Sequence, residues 1–458
     1  MSDLNSARHV DVLARADTLP LWQVVNLLGN DRYSDYFVYE DPAGLTVATG
    51  VRGSIDVYSD RVEMRWNGVV DSRPLLGGDP FAALQDALDS LPHPWKAYGW
   101  MAFETSYHRY APAEFDRVVR HLAHLQIPEA EAHWSGDGWT ASGELAATLA
   151  SSASAAPDNL ERRTLPSVDL GDDRCDYTGR VRRAVAEIRN GLYPKVILSR
   201  TVSVPAELDL PATWALGRTA NTPARSFLLR CSTAASPFEM AGFSPELVAA
   251  VHEDGRVITE PVAGTRALGI SAAADDRAVH ELRTDSKELA EHAMSVRESV
   301  NELTQICRDG SVTVSDFMSI RRRGSVQHLG STVDGLLVPG TRPMTALAAL
   351  FPAITASGLP KSACIEAISR LDACERGPYS GATLVATSEG DLESALVLRS
   401  CFSDGESTWL RAGAGIVAES TPEREFDETC EKLRSMSPYL VSRDRHPEAT
   451  PILQGAPQ

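Results

Sequence analysis

The 458-residue sequence contains no run of about 20 apolar residues that would predict a membrane-spanning helix. The segment that comes nearest, Leu347 to Leu359, is interrupted by Pro352 and by polar side chains. The first seventeen residues also lack the apolar stretch of a secretory signal peptide. We therefore expect a cytoplasmic protein that does not bind membranes.

The sequence is also poor in paired cysteines and in positive charge. Its 7 cysteines are scattered and form no CxxC pair, so neither a zinc–cysteine site nor a disulfide framework is predicted. The net charge of −18 argues against binding to nucleic acid or to an anionic membrane surface. A small anionic substrate remains compatible with this charge, because a pocket can be locally positive or can hold a metal ion.

Two further absences concern catalysis. No GxSxG segment is present, so the sequence does not indicate a serine hydrolase triad. The glycine-rich stretch Arg411 to Val417 is not followed by GK[ST] and is not a phosphate-binding P-loop. Gly413 and Gly415 are compatible either with a backbone that approaches a ligand or with a tight turn or β-bulge.

What is present indicates an α+β fold. The first 140 residues are rich in short strand patterns, and an Ala/Ser-rich stretch follows them. Asp254-Gly255 and Asp404-Gly405 predict hairpin turns, the second within the segment from Leu392 to Gly415. We therefore predict a single large unit with two packed antiparallel β-sheets and flanking helices. The predicted parts are a sheet-rich 1–145, a loop at 146–170, a catalytic part at 171–440 and a tail at 441–458.

Two helices are predicted in the catalytic part before its C-terminal end. Asp176 is predicted to cap the first, which ends at Gly191. Its apolar face is formed by Val181, Ala184, Val185 and Ile188. The second helix is predicted from about Asp276 to Ile306. Its core face is predicted to be Leu289, Ala293, Val296 and Val300.

This long helix carries an acidic stripe beside its predicted core face. Glu288, Glu291 and Ser295 stand at i, i+3 and i+7 and share one side. Glu288 also has a structural alternative, since Asp285 and Glu288 fit a capping box. On this pattern a cation site and a solvated surface are both open.

A third helix, near the C-terminus, repeats the arrangement. Thr421 is predicted as its N-cap and Pro422 as its first residue. Its buried stripe is formed by Phe426, Cys430 and Leu433. A second stripe holds Glu425, Glu428 and Lys432. Two such helices facing each other could hold a hard cation such as Mg²⁺, which prefers oxygen ligands.

Several other residues could carry chemistry, although each alone is compatible with a structural role. Lys195 opens an apolar strand and could serve as a base, or could extend into solvent. Glu246 begins a strand after a proline. The segment from Pro261 to Gly269, with Gly264 and Thr265, could bind a substrate or simply turn the chain.

Taken together, nine segments resemble the chorismate-utilising enzymes, which include anthranilate, aminodeoxychorismate, isochorismate and salicylate synthases. They run in the family's order from Lys195 to Leu433, and the sequence is most similar to the salicylate synthases of mycobactin-type siderophore pathways. The segments are KVILSR, GFSPELV, TEPVAGTRALG, DSKELAEHAMSVR, SVQHLGSTV, FPAITASGLPK, RGPYSG, ALVLRS and WLRAGAGIVAESTPEREFDETCEKL. The resemblance implies an anthranilate synthase component I-like fold.

The resemblance also implies site residues. Lys195 matches the base that activates water, and Glu246 matches the acid that protonates the departing C4 hydroxyl of chorismate. The implied Mg²⁺ ligands are Glu291, Glu425 and Glu428, with Glu288 in or near the shell. The implied substrate-binding positions are Gly264, Thr265, His328, Thr355, Tyr379, Arg399, Gly413, Gly415 and Lys432. The Mg²⁺ ion would neutralise the ring carboxylate.

The same comparison favours a hydroxylating member of the family. Aminodeoxychorismate synthases carry a lysine where this chain has Ala263, and anthranilate synthases typically carry glutamine where it has Lys195. The expected product is salicylate with pyruvate, for a siderophore or related natural product; the alternative is an isochorismate synthase that stops after the first step. Anthranilate synthase component I and a non-catalytic homologue are less favoured. No glutaminase subunit is expected, and the family suggests a monomer.

Overall fold

The computed structural model describes residues 19–29, 32–75, 78–141, 144–157, 160–165, 168–232, 237–267, 271–323 and 326–443. Within these ranges the strands are β1 (Tyr36–Asp41), β2 (Gly44–Thr49), β3 (Gly53–Tyr58), β4 (Arg61–Trp66), β5 (Val69–Pro74), β6 (Lys96–Met101), β7 (His121–Ile127), β8 (Ala130–Trp134), β9 (Trp139–Ala141), β10 (Lys195–Ser203), β11 (Arg225–Ser232), β12 (Pro237–Ser244), β13 (Leu247–Val251), β14 (Arg256–Thr259), β15 (Val262–Ala267), β16 (Thr313–Arg323), β17 (Val326–Leu336), β18 (Gly358–Leu359), β19 (Ala382–Thr387), β20 (Leu392–Leu396), β21 (Ser400–Ser403) and β22 (Thr408–Ile416). The helices are α1 (Leu21–Leu28), α2 (Pro80–Asp89), α3 (Tyr107–Tyr110), α4 (Pro112–Phe115), α5 (Leu145–Ser151), α6 (Leu160–Arg163), α7 (Tyr177–Arg189), α8 (Leu210–Ala220), α9 (Ala272–Thr284), α10 (Ser286–Thr304), α11 (Pro343–Leu350), α12 (Ile354–Ser357), α13 (Lys361–Leu371) and α14 (Pro422–Leu433).

The strands form two large antiparallel sheets. Sheet A has ten strands in the order β18-β10-β22-β21-β12-β11-β1-β2-β8-β9. Sheet B has twelve, in the order β15-β17-β14-β13-β20-β19-β6-β7-β3-β4-β5, with β16 paired to β17. Strands from the first 141 residues and from the later part of the chain lie side by side in both sheets. The predicted α+β fold with two packed antiparallel sheets is confirmed.

The two sheets pack on each other through aromatic side chains. Phe37 of β1 and Tyr98 of β6 have ring centroids 5.2 Å apart, and both are buried. The outer face of sheet A is covered by α1 and α8, whose Trp214 is fully buried. The outer face of sheet B is covered by helices that include α2, which packs on β3, and α11, which packs on β13. Aromatic and β-branched residues therefore fill three layers of core.

The capping residue predicted for α7 is wrong. Asp176 has a left-handed backbone, with φ 53°, and its side chain makes no capping hydrogen bond. The carboxylate of Asp173 accepts from the backbone N–H groups of Tyr177 and Thr178 instead. The predicted apolar face is correct, since Val181, Ala184, Val185 and Ile188 are all buried.

The long helix predicted from Asp276 to Ile306 is two helices, α9 and α10, that meet at Asp285. Asp285 accepts from the Glu288 N–H at 3.2 Å and so starts α10. The predicted core face is correct at Val296, which is buried, and at Val300, which packs against the core, but wrong at Ala293, which is exposed. The buried positions of α10 are His292, Ser295, Val296, Ser299, Glu302 and Leu303. Polar residues on this face hid it from a search for apolar periodicity.

Both predicted Asp-Gly turns join antiparallel strands, at Gly255 with φ 83° and at Gly405 with φ 87°. The second hairpin is shorter than predicted, because β20 belongs to sheet B whereas β21 and β22 belong to sheet A. The chain changes sheets between Leu396 and Ser400. None of the helices described is long and apolar enough to cross a membrane.

Candidate active site

Lys195 stands at the first position of β10, near one edge of sheet A, and pairs with Leu359 of β18. Its Nζ lies 2.5 Å from Glu291 Oε2 on α10, which packs on β15 and β17 of sheet B. A Cβ atom at Gly415 would lie 3.0 Å from Lys195 Cε, so glycine there leaves room for the lysine. The contact between Lys195 and Glu291 brings the two sheet edges together.

Glu246 lies just before β13 and is 2% exposed. Its Oε2 is 3.1 Å from the Thr355 hydroxyl on α12. Burial raises the pKa of Glu246 to about 8; the hydrogen bond with Thr355 lowers it only in part. The carboxyl group is therefore protonated at neutral pH and can donate a proton.

Short contacts link Glu246 to the Lys195 side of the site. Thr355 also lies 3.2 Å from the Val262 carbonyl oxygen on β15. Helix α12 leads directly into β18, whose Leu359 pairs with Lys195. The predicted acid and base are thus held by neighbouring elements.

Gly264, His328 and Arg399 form a continuous hydrogen-bonded chain. His328 Nδ1 donates to the Gly264 carbonyl oxygen at 3.0 Å, since a carbonyl can only accept. Its Nε2 then accepts from Arg399 Nη2 at 3.0 Å, which fixes the neutral Nδ1–H tautomer. Gly264 has φ 65°, in the left-handed region that favours glycine. The side chain of Thr265, on the same strand, lies outside the described residues.

Arg399 reaches this position because the chain changes sheets there. Its backbone has φ 49°, which is uncommon for a residue with a side chain. Strained backbone of this kind is concentrated at functional sites. Neither the composition of the sequence nor its strand periodicity indicates this backbone conformation at Arg399.

Tyr379 is buried against β22. A Cβ atom at Gly413 would lie 3.2 Å from the Tyr379 hydroxyl and 2.6 Å from the Leu198 carbonyl oxygen. Burial raises the pKa of Tyr379 to about 12, so the phenol keeps its proton and can donate a hydrogen bond. Gly413 and Gly415 lie in a regular strand whose register with β10 is continuous. The tight-turn or bulge alternative for this segment is therefore wrong.

The acidic stripe of α14 lies beside this strand. Thr421 caps the helix and Pro422 is its first residue, as predicted. Lys432 Nζ lies 2.9 Å from Glu428 Oε1 and donates to the Gly413 carbonyl oxygen at 2.8 Å. The two glutamates of the stripe point to the same side as Lys432 but differ in environment.

Glu425 is buried, and its Oε2 has no hydrogen-bond partner among the described residues. Burial raises the pKa of Glu425. Burial would raise the pKa of Glu428 too, but Lys432, Arg424 and Lys195 outweigh it and lower that pKa below its ordinary value. Lys195 therefore contacts Glu291 on one side and acts on Glu428 on the other.

The four glutamates predicted as metal ligands offer only oxygen atoms, the donors that Mg²⁺ prefers. Three of them have cationic partners: Glu291 with Lys195, Glu428 with Lys432, and Glu288 with Arg266 at 3.2 Å. No three of the four bring ligand oxygens within 4.8 Å of one another. The unpartnered oxygen of Glu425 and the all-oxygen donor set fit a hard cation.

Arg266 and Arg411 are two residues that sequence reasoning missed. Arg266 holds Glu288, and the Arg411 guanidinium lies 5.5 Å from the Tyr379 ring centroid and 3.4 Å from Asp372. Both arginines occur inside segments that carried the resemblance, TRALG and WLRAGAG. An arginine beside a glycine-rich ligand segment was the signal available in each case.

Comparison with known proteins identifies the protein family of this chain. The family model described as chorismate binding enzyme matches residues 34–438. A salicylate synthase of Mycolicibacterium paratuberculosis is 45% identical over 414 residues, covering 89% of this chain and 90% of that protein. An anthranilate synthase component 1 of Halobacterium salinarum is 34% identical over 327 residues, covering 70% of this chain and 60% of that protein.

Solved structures show the same fold at lower sequence identity. The structure of an isochorismate synthase of Bacillus anthracis has a TM-score of 0.67 at 21% identity and covers 90% of this chain and 97% of that one. Anthranilate synthase component I of Streptococcus pneumoniae has a TM-score of 0.67 at 24% identity, covering 88% and 92%. At these identities the likeness concerns the fold alone.

Proposed function

Since the chain belongs to the chorismate-binding enzyme family, we propose that it is a Mg²⁺-dependent salicylate synthase. In this proposal it converts chorismate to isochorismate and then to salicylate and pyruvate. The observation that carries it is Glu246, a buried carboxyl group that keeps its proton to about pH 8 and is connected through Thr355 to the strand that pairs with Lys195.

The first step is an allylic displacement. The Lys195 amine acts as the base and accepts a proton from water as the water oxygen bonds to C2 of the ring. Both ring double bonds shift, C1=C2 to C1=C6 and C5=C6 to C4=C5, and the C4–O bond breaks as Glu246 gives its proton to the departing hydroxyl group. Each proton transfer contributes roughly 10²–10⁴ in rate. An ammonia-using enzyme would need no such base, so Lys195 favours water over the anthranilate reaction.

The second step needs positioning more than further acid–base groups. The C2 hydrogen moves to the methylene carbon of the enolpyruvyl group while the C3–O bond breaks, which releases pyruvate and leaves an aromatic ring. Arg399, Tyr379 and the backbone near Gly413 are proposed to hold the pyruvyl carboxylate over the ring. The His328 hydrogen bond to Arg399 keeps that guanidinium in place.

Glu291, Glu425 and Glu428, with Glu288 nearby, would hold the Mg²⁺ ion. When bound, the ion would neutralise the ring carboxylate of the substrate. Lys432, which contacts both groups, would fix the position of the Glu428 side chain relative to the Gly413 carbonyl group.

Product analysis tests the proposal and separates it from the alternative, an isochorismate synthase. Purified protein is incubated with chorismate and Mg²⁺, and the products are separated by liquid chromatography with salicylate fluorescence. Equal amounts of salicylate and pyruvate are expected. Isochorismate without pyruvate would mean that the site stops after the first step, and unchanged chorismate would favour a non-catalytic homologue.

A further inference from the structure

A second cluster of ligand-type side chains lies on sheet B away from the proposed active site. Asp56 of β3 stands directly opposite His124 of β7. His121 lies three positions before His124, so a regular strand would put the two histidines on opposite faces. A β-bulge skips Leu122, pairs His121 with Tyr58 and turns His121 toward the same carboxylate.

The three side chains are close together and mostly buried. Asp56 Oδ1 lies 2.8 Å from His124 Nδ1 and 3.0 Å from His121 Nε2. Asp56 is 1% exposed and His124 is 3% exposed. Asp56 Oδ2 and His124 Nε2 have no hydrogen-bond partner in the part of the chain that the structure describes. Buried polar atoms without partners are rare and require an explanation.

The charge of Asp56 also needs a partner. No lysine or arginine nitrogen of the described residues lies within ion-pair distance of it; only the two histidines do. A buried carboxylate is stable in its charged form only when a cation compensates it.

The surroundings hold the ligand geometry and leave a path to solvent. The His121 ring stacks on Tyr58 at 4.7 Å and meets Trp100 edge-on at 4.8 Å. Its side chain is 22% exposed, so an ion can reach the cluster past it. Among the residues described, this is the one group whose three ligand atoms all lie within 4.8 Å of one another.

We propose that Asp56, His121 and His124 form a binding site for a divalent transition-metal ion, with Zn²⁺ as its reference ligand. Two imidazole nitrogens and one carboxylate are a donor set that suits Zn²⁺ and its neighbours, whereas Mg²⁺ prefers oxygen donors alone. The ion would supply a positive charge that compensates Asp56, and it would link β3 to β7. In sheet B, β7 lies three strands away from β20. The proposal is independent of the salicylate synthase activity.

The test is Zn²⁺ binding by the metal-stripped protein in excess Mg²⁺. Titration calorimetry measures the Zn²⁺ affinity and stoichiometry, and the shift in the thermal unfolding temperature measures the stabilisation by Zn²⁺. The decisive variant is His121→Phe, which keeps the ring contacts with Tyr58 and Trp100 and removes the nitrogen. The matched control is His280→Ala, which removes an exposed histidine on α9. Co²⁺ is the second probe, because its visible absorption reports nitrogen ligation.

Wild type and His280→Ala are expected to bind one equivalent of Zn²⁺ with the same affinity, and His121→Phe to bind it at least tenfold more weakly. Asp56→Asn should have the same effect and also lose the Co²⁺ absorption. Equal Zn²⁺ affinity in wild type and a folded His121→Phe would overturn the proposal, as would no binding by wild type. In the latter case the cluster is a proton-sharing Asp–His–His group.

Discussion

Two glutamates on either side of the candidate site have opposite electrostatics. Glu246 is buried and the Glu428 side chain is 40% exposed; the pKa of Glu246 is raised to about 8 and that of Glu428 is lowered. Glu246 faces a hydroxyl group, whereas Glu428 faces the ammonium group of Lys432. The neighbours, and not burial alone, decide whether a carboxyl group keeps its proton.

This difference in pKa suits Glu246 and Glu428 for different chemistry. A neutral carboxyl group at pH 7 can give a proton to a leaving group, and a permanent anion cannot. A permanent anion beside the unpartnered oxygen of Glu425 can bind a cation. In the proposed mechanism, one residue type would thus serve proton transfer on one side of the site and metal binding on the other.

The largest expected effect comes from removing the proton of Glu246. Glu246→Gln keeps the size of the side chain and should lower the rate of chorismate consumption by roughly 10²–10⁴-fold. The measurement is the disappearance of chorismate at saturating Mg²⁺. Glu253→Gln, an exposed position on the adjacent hairpin, is the control. A normal rate in Glu246→Gln would remove this residue from the proton-donor role.

The next largest effect is expected at Glu428, on the anionic side of the site. Glu428→Gln should raise the Mg²⁺ concentration needed for half-maximal activity by roughly tenfold or more, because one charged ligand is lost. A Mg²⁺ titration of the initial rate checks this. Glu423→Gln, exposed on the same helix, should leave the titration unchanged. If Glu428→Gln also leaves it unchanged, Glu428 is not a ligand.

The pH dependence of stability sharpens the comparison further. Because the folded state holds the Glu246 proton up to about pH 8 and the unfolded state loses it near pH 4.5, this group makes the free energy of unfolding fall between those values. Glu246→Gln should remove this fall, which amounts to a few kcal/mol as an upper limit. Urea unfolding at pH 5, 7 and 9 measures it.

The Glu428→Gln variant is the internal control for that experiment, because a lowered pKa has the opposite sign. Its carboxylate stabilises the folded state above its unfolded pKa and loses that contribution in acid. Stability curves of wild type and Glu246→Gln that run parallel from pH 5 to pH 9 would contradict a raised pKa for Glu246.

Sequence reasoning found the elements of this site more readily than its contacts. The cap at Thr421 and the acidic stripe of α14 follow from local rules, and both are present. The buried face of α10 did not follow, because His292 bonds Ser331 at 2.7 Å and a polar residue satisfied in this way looks like a surface residue in a sequence. The pairing of Lys195 with Glu291 joins residues 96 positions apart, which no local pattern can encode.

The smallest expected effect concerns the hydroxyl group of Thr355, which lies 3.1 Å from Glu246 and 3.2 Å from the Val262 carbonyl oxygen. One hydroxyl proton cannot serve both acceptors. When Glu246 is protonated, its own O–H can donate to Thr355, which then donates to Val262. When Glu246 is ionised, the Thr355 hydroxyl must turn to donate to the carboxylate and stabilise its charge.

Thr355→Val removes that stabilisation and should raise the pKa of Glu246 further. The high-pH limb of kcat/KM should therefore move upward by less than about one pH unit, with under tenfold loss of rate. A limb that moves downward would mean that Thr355 stabilises the protonated acid more than the anion.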